Sequence, residues 1–191
     1  LTRSDELAVE AALMLGVARG EPEACRVVVE QQGPAAYRFA FRLLRDSEEA
    51  EDVAQEAMVR LWKQAPDWRP LARISTWLHK VIYRLALDRL RRRREEGLEA
   101  AEAMPDPSPG PEAAFAAVQR RAAVNEALQT LPERQRTAVQ LTHFQGLSGA
   151  EAASVLEVSI EALESLLARA RRTLRSTLED RRAELLERDD G

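Results

Sequence analysis

Apolar residues recur at three- and four-residue spacing along almost the whole chain, the period of one face of an α-helix. Runs of β-branched residues are short, Val27 to Val29 being the longest. The pattern predicts an all-α chain. A first helix is expected from about Asp5 to Ala18 behind Ser4 as N-cap, closed by Gly20, with Glu21-Pro22 opening the next. Gly33-Pro34 interrupts the pattern, and Tyr37, Phe41 and Leu44 resume it on one face. Asp46-Ser47-Glu48-Glu49 offers a cap and first-turn acids for a helix reaching about Lys63. Pro66 and Pro70 bracket a loop, after which a long helix is expected from about Ser75 to Arg94.

From Gly97 to Pro111 the periodicity stops, and Pro105, Pro107, Pro109 and Pro111 alternate with Asp106, Ser108 and Gly110. This is the composition of a solvated linker; six acidic residues and no basic one lie between Glu95 and Phe115. Two helical domains are therefore expected, 1–96 and 112–191, joined by an acidic Pro-rich linker at 97–111. In the second, helical patterning covers about Glu112 to Thr130, Glu133 to Phe144, Ser148 to Val155 and Ser159 to Leu186. Ser148 and Glu151 have the spacing of a capping box, and Ser159 caps a further helix after a turn of about three residues. Small and apolar residues at Ala152, Ala153, Leu156, Val158 and Leu163 suit a helix-turn-helix, although any short αα-corner is also consistent with them.

Composition narrows the class. At 45 % apolar and 31 % charged, the 191-residue chain has the make-up of neither a disordered nor a membrane-embedded protein, and no basic start followed by an apolar run resembles a signal peptide. A cytoplasmic location without membrane insertion is expected. Cys25 is the only cysteine, and with His79 and His143 as the only histidines no zinc-ligand spacing exists; neither disulfide, metal nor cofactor is expected. No nucleophile or acid–base constellation surrounds these residues, so the chain is not expected to be an enzyme.

Charge is distributed unevenly about a net value of −4. Leu71 to Arg94 carries a net +7 in 24 residues, with Arg73, Trp77, Lys80, Arg84 and Arg91 on one stripe beside the packing stripe of Ile74, Leu78, Val81 and Leu85. Aromatic residues among cations suit unstacked bases in a charged groove; a core tryptophan and an Arg run closing a helix against its dipole account for the same residues more plainly. Asp46 to Arg60 has six acids before its first base, and Val53, Ala57 and Leu61 bury one side, leaving Asp52, Gln55, Glu56 and Arg60 outward. Such a face repels DNA and is either a solvated surface or a docking surface for a protein. In the last helix the stripe of Leu163, Leu167, Ala170 and Leu174 leaves Arg169, Arg171, Arg172 and Arg175 suited to phosphate.

These motifs in this order resemble the extracytoplasmic-function sigma factors of bacterial RNA polymerase. Glu49 to Ala57 with Leu61-Trp62-Lys63, and Ser75-Thr76-Trp77-Leu78 through Leu85 to Arg92, look like region 2 of that family. Leu131-Pro132-Glu133-Arg134-Gln135-Arg136, His143 to Ser148 and Ala168 to Arg175 look like region 4. The resemblance implies a factor that binds core RNA polymerase, recognises minus-10 and minus-35 promoter elements and directs initiation under the control of an anti-sigma factor. It implies polymerase contacts at Asp52, Gln55, Glu56, Arg60 and Trp62, and minus-10 contacts at Arg73, Ser75, Thr76, Trp77, Lys80, Tyr83 and Arg84. Minus-35 contacts are implied at Ser159, Glu161, Glu164, Ser165, Ala168, Arg169, Arg171 and Arg172.

The sequence departs from the family pattern at a few positions. Arg84 stands where asparagine is frequent, and Glu157 replaces the usual turn glycine. Glu164, Leu166 and Ala168 occupy positions where many relatives carry Lys, Arg and His, which leaves part of the minus-35 specificity to DNA shape. A helix-turn-helix regulator acting without polymerase, and a helical adaptor that binds only protein, are the competing readings; the first is disfavoured because the most basic helix lies outside the helix-turn-helix.

Overall fold

The computed structural model describes residues 3–97 and 124–189, with side chains at 5–97 and 124–179. The chain divides into two compact units, Leu1–Met104 and Pro105–Gly191, and the division falls inside the expected linker. Residues 98–111 of that linker, and the greater part of the helix expected at 112–130, lie outside the described residues; 124–129 are helical.

In the first unit α1 (Arg3–Ala18) leads into α2 (Pro22–Leu44), with Gly20 at φ 72° forming the turn and Pro22 at the start of α2. The expected break at Gly33-Pro34 does not occur. Pro34 sits inside α2, and although it removes one backbone donor from the ladder, the turns beyond it are held by Ala36, Phe39, Ala40, Leu43 and Leu44, all buried. Tertiary burial of that face outweighs the local cost. α3 (Ser47–Gln64) opens as expected on Asp46, whose side chain accepts the Glu49 amide at 2.9 Å.

A single 3₁₀ turn (Ala65–Asp67) and a loop connect α3 to α4 (Ile74–Glu95). α2 packs against both α3 and α4, and these pack on each other. Their shared core contains Val28, Phe39, Val53, Leu61, Ile74, Leu78 and Ile82, with Met14 from α1, all essentially without solvent contact.

The described part of the second unit holds α5 (Glu133–Val139), α6 (Gly149–Leu156) and α7 (Ile160–Asp189). The helix expected to run from Glu133 to Phe144 changes pitch after Val139, and Gln140–Phe144 form a π-turn closed by the Gln145 amide on the Gln140 carbonyl. Both halves of the capping box at α6 are made: Ser148 accepts the Glu151 amide, and Glu151 accepts the Ser148 amide at 2.9 Å. Leu128, Leu131, Val139 and Ala170 form the apolar centre, with Leu167 and Leu174 packed against it.

Candidate nucleic-acid and partner interfaces

The helix-turn-helix is formed by α6, a turn at Glu157 to Ser159, and α7. Ala152, Ala153, Val155, Leu156 and Leu163 are buried where the two helices meet. Glu157 takes the left-handed conformation at φ 55° and ψ 47°, and the Val158 amide returns to the Ala153 carbonyl at 3.1 Å, which turns the chain. Ser159 Oγ accepts the Ala162 amide at 3.2 Å and caps α7. The Glu161 carboxyl at this helix start is held below its ordinary pKa by its own backbone amide and the Ser159 hydroxyl. Ser159, Glu161, Glu164, Ser165, Ala168, Arg169, Arg171 and Arg172 are all exposed, so α7 and its cap residue carry the entire set expected to face the minus-35 element. In this set Glu161 and Glu164 lie in the first turns, and Arg169, Arg171 and Arg172 follow them with no acid between.

In the first unit the expected minus-10 set divides. Arg84 is exposed and Arg73, Ser75, Trp77 and Lys80 are half-buried, whereas Thr76 and Tyr83 are only 5 % exposed and belong to the packed side of α4. Both lie on α4, which packs against α2 and α3. Trp77 stands edge-on to Trp68, ring centroids 6.2 Å apart, which braces it against the loop before α4. In that loop Leu71 is 85 % exposed. His79 is buried, its Nδ1 2.6 Å from the Ser75 carbonyl and its ring against Phe39, and is thus part of the core.

The Arg run at the end of α4 is not uniform. Arg93 folds back on α3, where it donates to Glu49 at 3.0 Å, to Asp46 at 3.3 Å and to the Leu44 carbonyl at 3.2 Å, leaving its side chain 14 % exposed. Arg89 reaches Asp52 at 3.5 Å. Arg91, Arg92 and Arg94 are exposed.

On α3, Asp52, Gln55 and Arg60 are exposed, with Glu56 and Trp62 half-buried and Glu56 paired to Arg60 at 2.6 Å. Beside them lies a largely apolar groove of about 550 Å³ between α2 and α3, lined by Val29, Tyr37, Ala54, Met58, Val59 and Trp62. Trp62 and Gln55, expected from the sequence as polymerase contacts, both line this groove, but the groove itself was not expected. The signal was Val59, an apolar residue off the Val53, Ala57 and Leu61 stripe that remains 43 % exposed.

Comparisons with known proteins agree with this layout. A family model described as sigma-70 region 2 matches residues 28–96, and one described as sigma-70, region 4 matches residues 121–174. The ECF RNA polymerase sigma factor SigK of Mycobacterium ulcerans is 31 % identical over 187 residues, which cover 93 % of this chain and 96 % of that one. The chain belongs to the ECF sigma factor family. It is also 32 % identical over 155 residues to SigE of Mycolicibacterium smegmatis, of whose length the match spans 60 %. The solved structure of CnrH in complex with the cytosolic domain of CnrY superposes with a TM-score of 0.67 at 26 % identity, covering 90 % of this chain and 97 % of that chain. In this sigma factor every residue of the expected polymerase and minus-10 sets falls within the region 2 match, and every expected minus-35 residue within the region 4 match. Among the described residues no helix is long and apolar enough to cross a membrane.

Proposed function

We propose that this sigma factor binds core RNA polymerase through α3, holds melted minus-10 bases on the exposed face of α4 and its preceding loop, and reads the minus-35 element with α7. The observation that carries the reading is the sorting of charge by helix: acids on α3, where DNA is excluded, and cations with a braced tryptophan on α4. We assign polymerase contacts to Asp52, Gln55, Glu56, Arg60 and Trp62, with the adjoining groove taking an apolar side chain of the partner. Arg73, Ser75, Trp77, Lys80 and Arg84 face the minus-10 strand, and Ser159, Glu161, Glu164, Ser165, Ala168, Arg169, Arg171 and Arg172 face the minus-35 duplex. Residues 1–96 form the polymerase and minus-10 domain, 97–111 the connector and 112–191 the minus-35 domain.

Melting without nucleotide hydrolysis is energetically accessible if each flipped base regains about 1–3 kcal/mol by stacking on aromatic side chains. The factor contributes specificity while the polymerase carries out the chemistry, so the chain acts in the cytoplasm as an initiation factor and not as an enzyme. An anti-sigma factor that covers the polymerase-binding face holds it inactive; the complex of CnrH with the cytosolic domain of CnrY supports a partner of this kind.

The test is transcription by sigma-free bacterial core polymerase supplied with the purified chain and a pool of promoter fragments. Initiation at a shared two-element motif is expected. Duplex binding by the chain alone, with no association to core polymerase, would instead favour a conventional helix-turn-helix regulator.

A further inference from the structure

The DNA-facing end of α4 does not supply its own cap. Its N-cap residue, Arg73, makes no side-chain hydrogen bond to the helix start, and no acid lies in the first turn of α4. Both needs are met from α1, more than sixty residues earlier in the chain. Glu10 accepts the Ile74 amide at 2.6 Å, and Glu6 pairs with the Arg73 guanidinium. Glu6 and Glu10 are four residues apart and therefore share one helix face, and α1 also packs on the 3₁₀ turn that begins the α3–α4 connection.

We propose that Glu6 and Glu10 are positioning residues for minus-10 recognition: Glu10 fixes the start of α4 and Glu6 aims Arg73 at the non-template strand. The inference rests on the proposed minus-10 role of Arg73 and goes beyond it, because both acids precede the segment matched by the region 2 family model. Two observations and two physical arguments carry it. An amide at a helix start and an arginine beside it would otherwise be satisfied by water, with the loop from Trp68 to Arg73 free to take other conformations. The Glu10 contact is partly buried, which excludes competing water more than an exposed cap does. Carboxylate charge at a helix N-terminus is favoured by the helix dipole. Leu71 and Trp77, the exposed apolar tip and the braced aromatic, lie within four residues of Arg73, so a change in its backbone is transmitted directly to both.

The experiment uses the full chain bound to core polymerase and a labelled fork-junction DNA whose single-stranded non-template minus-10 segment comes from the promoter recovered in the pool experiment. Glu10→Ala, Glu10→Gln, Glu6→Ala, Arg73→Ala and the Glu6→Ala/Arg73→Ala double variant are compared. Glu10→Ala is expected to weaken fork binding roughly fivefold, the magnitude of a lost helix cap, with core-polymerase affinity unchanged. Glu10→Gln, which still accepts the Ile74 amide, restores most of it. Glu6→Ala lowers binding in the native background and adds nothing once Arg73 is absent, the sign that it acts through Arg73.

Equal losses of core affinity and fork binding, or failure of Glu10→Gln to rescue, would reduce α1 to a general stabilising helix and overturn the proposal. Tighter fork binding by Glu6→Ala would also overturn it, showing that the acid competes with DNA for Arg73. If Arg73→Ala itself leaves fork binding unchanged, the minus-10 assignment of Arg73 fails and the inference fails with it; if Arg73→Ala weakens binding while neither acid matters, only the inference fails.

Discussion

At the scale of single residues, chemistry and environment part company in instructive ways. Glu157 occupies a left-handed turn position that costs an L-residue about 1 kcal/mol and a glycine almost nothing. Glu157→Gly is therefore expected to stabilise the second unit by about 1 kcal/mol in urea unfolding, whereas Glu157→Ala, equally strained, does not. Arg93 presents the opposite case. In the sequence it is one of four consecutive arginines, and nothing local distinguishes it from Arg92 or Arg94. In the structure it ties the end of α4 to Asp46, Glu49 and the Leu44 carbonyl, and its removal leaves a half-buried Glu49 carboxylate without its cation. Arg93→Met, which keeps the stem and loses the charge, should destabilise the protein by about 2 kcal/mol, while Arg92→Met and Arg94→Met stay within about 0.5 kcal/mol. Trp77→Ala should impair open-complex formation, read by permanganate footprinting of melted thymines, more than it impairs polymerase binding; equal losses would make it a core residue only.

At the scale of elements, most helices are where periodicity and caps place them. The Asp46 cap, the Ser148–Glu151 box and the Ser159 cap are all made, because each depends on residues within three positions of one another. α1 begins at Arg3, which puts the expected cap Ser4 inside the helix, and two further elements depart from the local pattern. α2 continues through Pro34 because the residues after it are buried against the neighbouring helices, and the segment after Val139 widens to a π-turn. The crossing of α1 and α2 is set by Gly16, where a Cβ would lie 2.8 Å from the Ala24 Cβ. Gly16→Ala should lower stability by about 1–2 kcal/mol despite alanine's higher helix propensity, since both atoms are fixed to backbone. α7 exposes acids and arginines in separate turns, and base substitutions in the minus-35 element separate their roles. Arg171→Ala should weaken binding uniformly across sequences with a shallower salt dependence, and Glu164→Ala should relax preference at one base position. Uniform losses from both would assign specificity to DNA shape.

At the scale of the whole molecule, a chain with net charge −4 carries strongly basic faces, so attraction to DNA is local and not general. The free sigma factor should bind random duplex with a dissociation constant on the order of 10⁻⁴ M at physiological salt, and sequence-specific binding should appear only with core polymerase, as measured by fluorescence anisotropy. The sequence by itself determined the helical class, the caps at Asp46, Ser148 and Ser159, the loss of periodicity after Gly97 and the family, because these follow from spacing within a few residues or from blocks of residues in a set order. Tertiary structure alone decided that Thr76 and Tyr83 are buried, that Arg93 clasps Asp46, Glu49 and the Leu44 carbonyl, and that Val29 and Val59 line an open groove. It alone joined Glu6 and Glu10 to the start of α4. Each of these depends on which helix lies across from a residue, a relation set by packing between segments far apart in the chain, to which periodicity along one helix is blind.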